Sequence, residues 1–265
     1  MEIFAFDVDG TLSYRGSPLT DLDIRCLCAA AQRGDAIVLA SGRSVGTLVD
    51  RLKPIQPKEN LFAIGANGAR IADFEGNTIF SVGLSGAAYD QLYRRYAGPG
   101  VEVYAFIGDQ LGYLEYGPGV DFETQTGRMR ARNLREEPLD PLERLDKVIV
   151  MAAPDRSAQL ERGLGDDLKS RYGILRSSPY FLEFVDPQVD KAFALERLAK
   201  ALGVEREDVH TFGDSLNDLR MIASFDGTAM GNALDEVKAA ANRICPDVWE
   251  DGVGQTLRDH FKLLD

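Results

Sequence analysis

The chain opens on a continuous apolar run, "EIFAFDV", whose lack of alternation predicts a strand covered on both faces. Polar residues then lead to Thr20, Asp21 and Asp23, the N-terminal signature of a helix that runs through "IRCLCAAAQR" to a stop at Gly34. "AIVLAS" repeats the buried-strand pattern, "SVGTLVDRL" reads as a second helix ended by Pro54, and "LFAIGAN" as a third strand. This β-α-β-α-β order predicts a parallel, doubly wound sheet.

After Asn67 the pattern changes. "ARIAD" and "TIFSV" flank "FEGN", a hairpin signal. "SGAAYDQLYRRYAG" reads as a helix and "VEVYAFIG" and "GYLEYG" as strands. Glu143 to Ala153 predicts another strand, Ala158 to Tyr172 another helix, and "YFLEFVD" closes the run. The β/α alternation then resumes. "DKAFALERLAKALG" sets Leu195, Leu198, Ala199 and Leu202 at helical spacing before Gly203. "VHTFGD" and "GTAMG" read as strands, with "SLNDLRMIA" and Asp235 to Asn242 as helices. The expected class is α/β: a doubly wound parallel-sheet core at residues 1–83 and 185–265, with an inserted α+β domain at 84–184.

Composition narrows the function. At 265 residues, the chain is long enough for a core and an insertion. No apolar run approaches the ~20 residues of a membrane span, and no basic leader precedes an apolar stretch, so secretion is not expected. Three cysteines are too few for a disulfide framework and suit a reduced cytoplasm. The only two histidines, His210 and His260, lack the companions of a zinc site or a hydrolase triad. A net charge of −12 argues against nucleic-acid or anionic-membrane partners. Residues 84–184 hold 13 basic against 16 acidic residues, so most of that charge lies outside the insertion.

In an open α/β sheet, ligands sit outside the carboxyl ends of the strands. The polar residues there are Asp7 and Asp9, Ser41 and Arg43, Asn67, and Asp214, Asn217 and Asp218 from "GDSLND", while Lys191 opens the helix after the insertion. Singly, each has a plainer reading: a turn aspartate, a capping serine, a solvated lysine, an Asn-Gly turn. Several carboxylates converging on one spot need a cation, and oxygen ligands favour Mg²⁺ over zinc.

Together, "DVDGT", "SGR", that lysine and "GDSLND" resemble motifs one to four of the haloacid dehalogenase superfamily. "NGARI", "AMGNA", "DGV" and the placement of the insertion are similar to the Cof-type phosphatases with a type IIB cap, and the resemblance spans nearly the whole chain. It implies a Mg²⁺-dependent phosphatase of small phosphorylated metabolites, sugar phosphates foremost, acting through an aspartyl phosphate. Asp7 would be the nucleophile, and Asp9 the acid and then the base. Mg²⁺ would be held by Asp7, the Asp9 backbone carbonyl and Asp214. Phosphate would meet Val8, Ser41, Gly42, Lys191 and Asn217, with Asp218, Arg43 and Asn67 supporting from behind. If the chain stays extended, Asp7 and Asp9 share one side, and Gly10 permits the turn that follows.

The sequence departs from the family pattern in two places. Ala192 stands where glycine usually follows the lysine, and Val248 and Trp249 replace a polar stretch before "DGV", which puts one polar contact near the site in question. In the insertion, Arg128, Arg130 and Arg132 would share a strand face, and Arg135 follows. A solvated face paired with Glu136 and Glu137 is the favoured reading over an anion-binding role. Tyr104, Phe106, Tyr113 and Tyr116 read as the insertion's core. Two other functions fit the same motifs: a phosphosugar mutase, whose associated features "GDSLND" lacks, and a silent phosphosugar-binding protein, against which the intact motifs speak. A monomer and a homodimer are both compatible with the chain.

Overall fold

Aromatic and β-branched residues build the first strand, Ile3–Phe6, and all four of its residues are buried, as a strand covered on both faces requires. The computed structural model describes residues 1–264. The chain divides into two compact units: residues 1–41, 48–80 and Asp190 onward in one, and 42–47 with 81–189 in the other.

The first unit carries strands β1 (Ile3–Phe6), β2 (Ala36–Ala40), β3 (Leu61–Gly65), β4 (Arg70–Asp73), β5 (Thr78–Ser81), β6 (Val209–Gly213), β7 (Asp226–Ala229) and β8 (Arg243–Ile244). They form one sheet in the order β8-β7-β6-β1-β2-β3-β4-β5. Pairing is parallel from β8 to β3 and turns antiparallel at β3–β4. The expected doubly wound α/β fold is therefore present.

Its helices are α1 (Asp21–Gln32), α2 (Val45–Leu52), α3 (Lys191–Leu202), α4 (Leu219–Ser224), α5 (Asp235–Ala240) and α6 (Gly252–Asp259). Thr20 and Asp23 close a reciprocal capping box at the start of α1. Asp190 accepts the Phe193 N–H at the start of α3, and Gly203 ends that helix in the left-handed region at φ 69°. On one face of the sheet Ile3, Ala5, Val38 and Ile64 pack with Leu195, Leu198 and Met221. On the other, Phe6 stacks on Phe212 with ring centroids 4.9 Å apart. α4 is shorter than "SLNDLRMIA" predicts. The Asp218 carboxylate takes the N–H groups of Asp214 and Ser215 at 3.1 Å each, which holds Ser215 to Asp218 in a turn ahead of the helix.

The second unit is built on a six-stranded sheet. Its order is Gly173–Leu175, Phe181–Val185, Lys147–Ala152, Val101–Ile107, Gln110–Tyr113, Arg130–Asn133. Helix Gly86–Tyr96 covers one face, where Tyr89 and Leu92 meet Val103, Ala105, Val148, Val150 and Phe184. The other face gathers Tyr104, Phe106, Leu111 and Ile149 with Val120 of helix Pro118–Thr126.

Several sequence expectations change here. The single helix expected at 158–172 is two, Pro154–Arg162 and Asp166–Lys169, because Gly163 and Gly165 interrupt it. Helix Pro118–Thr126 was not anticipated. Arg128 lies before its strand with φ 50°, so it does not share a face with Arg130 and Arg132. Arg132 is held by Glu143 at 2.6 and 3.2 Å, and Arg135 bonds the Leu114 carbonyl, rather than pairing chiefly with Glu136 and Glu137. Tyr116 is not core: it is 59% exposed, and its hydroxyl donates to Asp121. Among the described residues no helix is long and apolar enough to cross a membrane.

Candidate active site

Parallel register aligns the strand ends. Phe6 lies opposite Leu39 on one side and Phe212 on the other, so Asp7, Ser41 and Asp214 emerge at one edge of the sheet. Asp7 is 4% exposed, and its N–H still donates to the Phe212 carbonyl at 2.9 Å. The chain then folds back sharply. The Val8 carbonyl accepts from Leu12 at 3.0 Å and Ser13 at 2.8 Å, so the extended path that would align Asp9 with Asp7 does not continue. Gly10 makes the turn at φ 96°, and a Cβ there would fall 2.4 Å from Asp214 Oδ2. Only glycine fits that position.

Lys191 Nζ donates to Asp7 Oδ1 at 2.5 Å and to Asp218 Oδ1 at 2.6 Å. The lysine has no exposed surface. Burial alone would drive its proton off, but the charges of Asp218 and Asp7 outweigh burial and hold its pKa above the usual lysine range. Asp7 is pushed up to about 8, first by burial and then by the charge of Asp218, against the pull of Lys191. Asp214 is raised to about 6 by burial and Asp218, although Thr11 Oγ1 donates to it at 3.2 Å.

Asp7, Asp214 and Asp218 can each offer one oxygen within 4.8 Å of the other two. Three carboxylates face one ammonium, and burial first, with the charge of Asp218 behind it, raises Asp7 and Asp214. A hard divalent cation fits such an oxygen set. Both oxygens of Asp218 already accept, from Lys191 and from the Asp214 and Ser215 N–H groups. Asp7 and Asp214 are therefore the pair that could hold an ion. Asp9 is exposed, its carboxylate lies outside this trio, and its backbone bridges to Ser13.

The remaining candidates divide. Ser41 is buried, with its N–H on the Ile64 carbonyl and its carbonyl accepting the Asn67 N–H, each at 2.9 Å. Asn67 sits in the left-handed region at φ 58°, and its side-chain oxygen accepts from Asn217 Nδ2 at 3.2 Å. Gly42 and Arg43 group with the second unit. There the Gly42 carbonyl accepts from Lys147 Nζ at 3.0 Å. Burial raises the pKa of Glu123, and the charges of Lys147 and Arg43 act against it.

Two contributions were not legible as such. Asn232 donates to the Gly10 carbonyl at 2.9 Å and accepts the Val248 N–H at 2.8 Å. A backbone group of Val248 thus makes a polar contact although its side chain is apolar. Lys147 and Glu183 form a buried pair inside the apolar strands "KVIVMA" and "FLEFV". A charge at an inward strand position was the available signal.

The profile of haloacid dehalogenase-like hydrolases matches residues 4–257. The HMP-PP phosphatase of Cronobacter sakazakii is 28% identical to this chain, covering 89% of it and 86% of its own length. The Bacillus subtilis 5-amino-6-(5-phospho-D-ribitylamino)uracil phosphatase YcsE is 27% identical, over 99% of this chain and 96% of its own. A crystal structure of a haloacid dehalogenase-like hydrolase from Bacteroides thetaiotaomicron superposes with a TM-score of 0.88 at 28% identity, covering 98% of this chain and 99% of that one. With its strand-end carboxylates gathered around a buried lysine, the chain, similar over most of its length to these two phosphatases, belongs to the haloacid dehalogenase-like hydrolases.

Proposed function

We propose that the protein is a Mg²⁺-dependent phosphatase of sugar phosphates and similar phosphorylated polyols, working through an aspartyl phosphate on Asp7. The observation that carries this reading is Lys191, bonded at 2.5 and 2.6 Å to two buried carboxylates beside Asp214. The polyol class draws support from the uracil phosphatase relative, whose name gives the phosphate on a ribityl chain.

Asp7 attacks phosphorus through the oxygen that does not bond Lys191, and the ester oxygen departs with a proton from Asp9. Asp9, exposed on the turn, then takes a proton from the water that hydrolyses the aspartyl phosphate. Lys191 favours the ionised form of Asp7 and offsets charge on the transferring group. Asp218 keeps the Lys191 ammonium in place, while Ser41, the backbone of Val8 and Gly42, and Asn217 receive phosphate oxygens. Arg43 and Asn67 would support these groups from behind. Asp7, Asp214 and the Asp9 backbone carbonyl would hold Mg²⁺. When bound, the ion supplies positive charge that relieves the crowded carboxylates and stabilises the phosphoryl oxygens. The three free cysteines suit a reducing compartment such as the cytoplasm.

The test is a phosphate-release screen over sugar phosphates, phosphorylated acids, nucleotides and flavin or pyridoxal phosphates, with Mg²⁺ or with EDTA. Release on sugar phosphates that EDTA abolishes and Mg²⁺ restores is expected. Silence across the whole panel would leave a phosphosugar-binding protein instead. A hexose 1-phosphate returned as its isomer, rather than as free phosphate, would identify a mutase.

A further inference from the structure

The Lys147–Glu183 pair has no part in the chemistry described above, yet it is a deeply buried ion pair of the second unit. Both side chains are 3% exposed, and Nζ lies 2.9 Å from Oε2. Lys147 stands opposite Phe106 in the sheet, with its ammonium 4.4 Å from that ring, and Glu183 stands opposite Ile149. The pair therefore occupies the apolar face that carries Tyr104 and Phe106. Ser177 Oγ donates to the other Glu183 oxygen at 2.5 Å. Burying two charges there costs free energy unless their hydrogen bonds are well made. One bond leaves the pair altogether: Lys147 Nζ donates to the Gly42 carbonyl at 3.0 Å.

Gly42 is the glycine of "SGR". It has no side chain with which to fix itself, and glycine has the widest backbone freedom of any residue. The segment it opens is fastened again at its far end, where Ser44 Oγ and Thr47 Oγ1 donate to the Gly127 carbonyl at 3.0 and 2.7 Å. These bonds tie residues 42–47, the end of the β2–α2 loop and the first turn of α2, to the second unit.

We infer that Lys147 is a positioning residue: Asn67 already holds the Ser41 carbonyl, in the peptide plane that carries the Gly42 N–H, and Lys147 holds the next plane through the Gly42 carbonyl, so that together they fix the torsions of the glycine whose N–H receives the phosphate group. This rests on the phosphatase reading given above. Glu183 keeps Lys147 oriented, and Ser177 keeps Glu183 oriented. The ammonium orders the glycine before a ligand arrives, so that cost is not charged to phosphate binding. Its effect falls on the phosphate end of every substrate, whatever the leaving group.

The experiment compares wild type with Lys147→Met and with Lys147→Met/Glu183→Gln. The double variant removes both buried charges and leaves neither group uncompensated. Competitive inhibition by inorganic phosphate and the KM and kcat of three chemically different phosphate esters are measured. The phosphate Ki and all three KM values are expected to rise together by roughly tenfold or more, within the ~10²-fold that a misplacement of about 1 Å produces. The expected change in kcat is smaller, and the double variant keeps the wild-type circular dichroism and a cooperative melt. A folded double variant with an unchanged phosphate Ki overturns the inference, as does a loss confined to one leaving group. A wild type that releases no phosphate from any ester defeats the phosphatase reading itself, which is a separate result.

Discussion

The ammonium of Lys191 is stable without solvent because Asp7 and Asp218 meet it at 2.5 and 2.6 Å. Removing it leaves two buried carboxylates uncompensated, and breaking such a buried pair costs about 3–5 kcal/mol. Lys191→Met is expected to lose about that much stability in urea unfolding with EDTA present, and to lose turnover as well. Asp7→Asn is expected to abolish turnover while circular dichroism stays that of the wild type; full activity would remove Asp7 as nucleophile. A third buried carboxylate lies away from the site. Asp23, in the capping box of α1, is raised from 3.8 to about 6, first by burial, although Thr20 bonds it. Between those values the folded protein holds a proton that the unfolded chain releases. The group's contribution to stability is complete below the unfolded value and is lost as pH rises through about 6. An amide carries no such penalty. The melting temperature of Asp23→Asn should therefore gain on wild type between about pH 5 and pH 7.5, by the equivalent of about 1.4 kcal/mol. A gap that does not change with pH would rule out the buried charge as its cause.

At the scale of elements, tight backbone approaches decide where strand ends can place their residues. Gly68 has φ 114°, and a Cβ there would lie 2.2 Å from the carbonyl of Asp190, the residue that caps α3 just before Lys191. Gly76 has φ 86°, and a Cβ there would meet nothing within 4 Å. Both alanine variants carry the strain of the left-handed region, about 1–3 kcal/mol. Only Gly68→Ala should also displace the start of α3 and with it the Lys191 ammonium. Its kcat is expected to fall on the order of 10²-fold, whereas Gly76→Ala keeps wild-type kcat. Comparing kcat and urea midpoints of the two variants separates strain from displacement. The alternation of apolar runs and helical periods was enough to read β1 to β3 and α3, because each is a regular element buried along one pattern. The contacts that set the turns were not readable. Nothing local in "GDSLND" says that Asp218 folds back onto two N–H groups and delays α4 until Leu219. Likewise the fastening of Gly42 depends on Lys147, 105 residues away.

For the molecule as a whole, the two units have separate cores. The sheet of the first packs Ile3, Val38 and Ile64 against Leu195 and Leu198. The second packs Tyr89, Val103, Val148 and Phe184 on one face of its own sheet and Tyr104, Phe106 and Ile149 on the other. Residues 84–184 are also near charge balance, with 13 basic and 16 acidic side chains, so little self-repulsion opposes their folding. A segment with its own two-faced core and balanced charge meets the physical requirement for independent folding. Residues 81–189 alone are therefore expected to give a cooperative thermal melt with dispersed amide resonances. In that fragment Lys147 keeps Glu183 and loses Gly42, while Ser44 and Thr47 no longer bond the Gly127 carbonyl. Amide exchange near Gly127 and around Lys147 should be faster than in the full chain, and unchanged through the Val103–Val148–Phe184 core. A fragment that binds a hydrophobic dye and melts without cooperativity would mean that segment 42–47 is part of what folds this unit. The grip on Gly42 would then serve stability as well as phosphate binding.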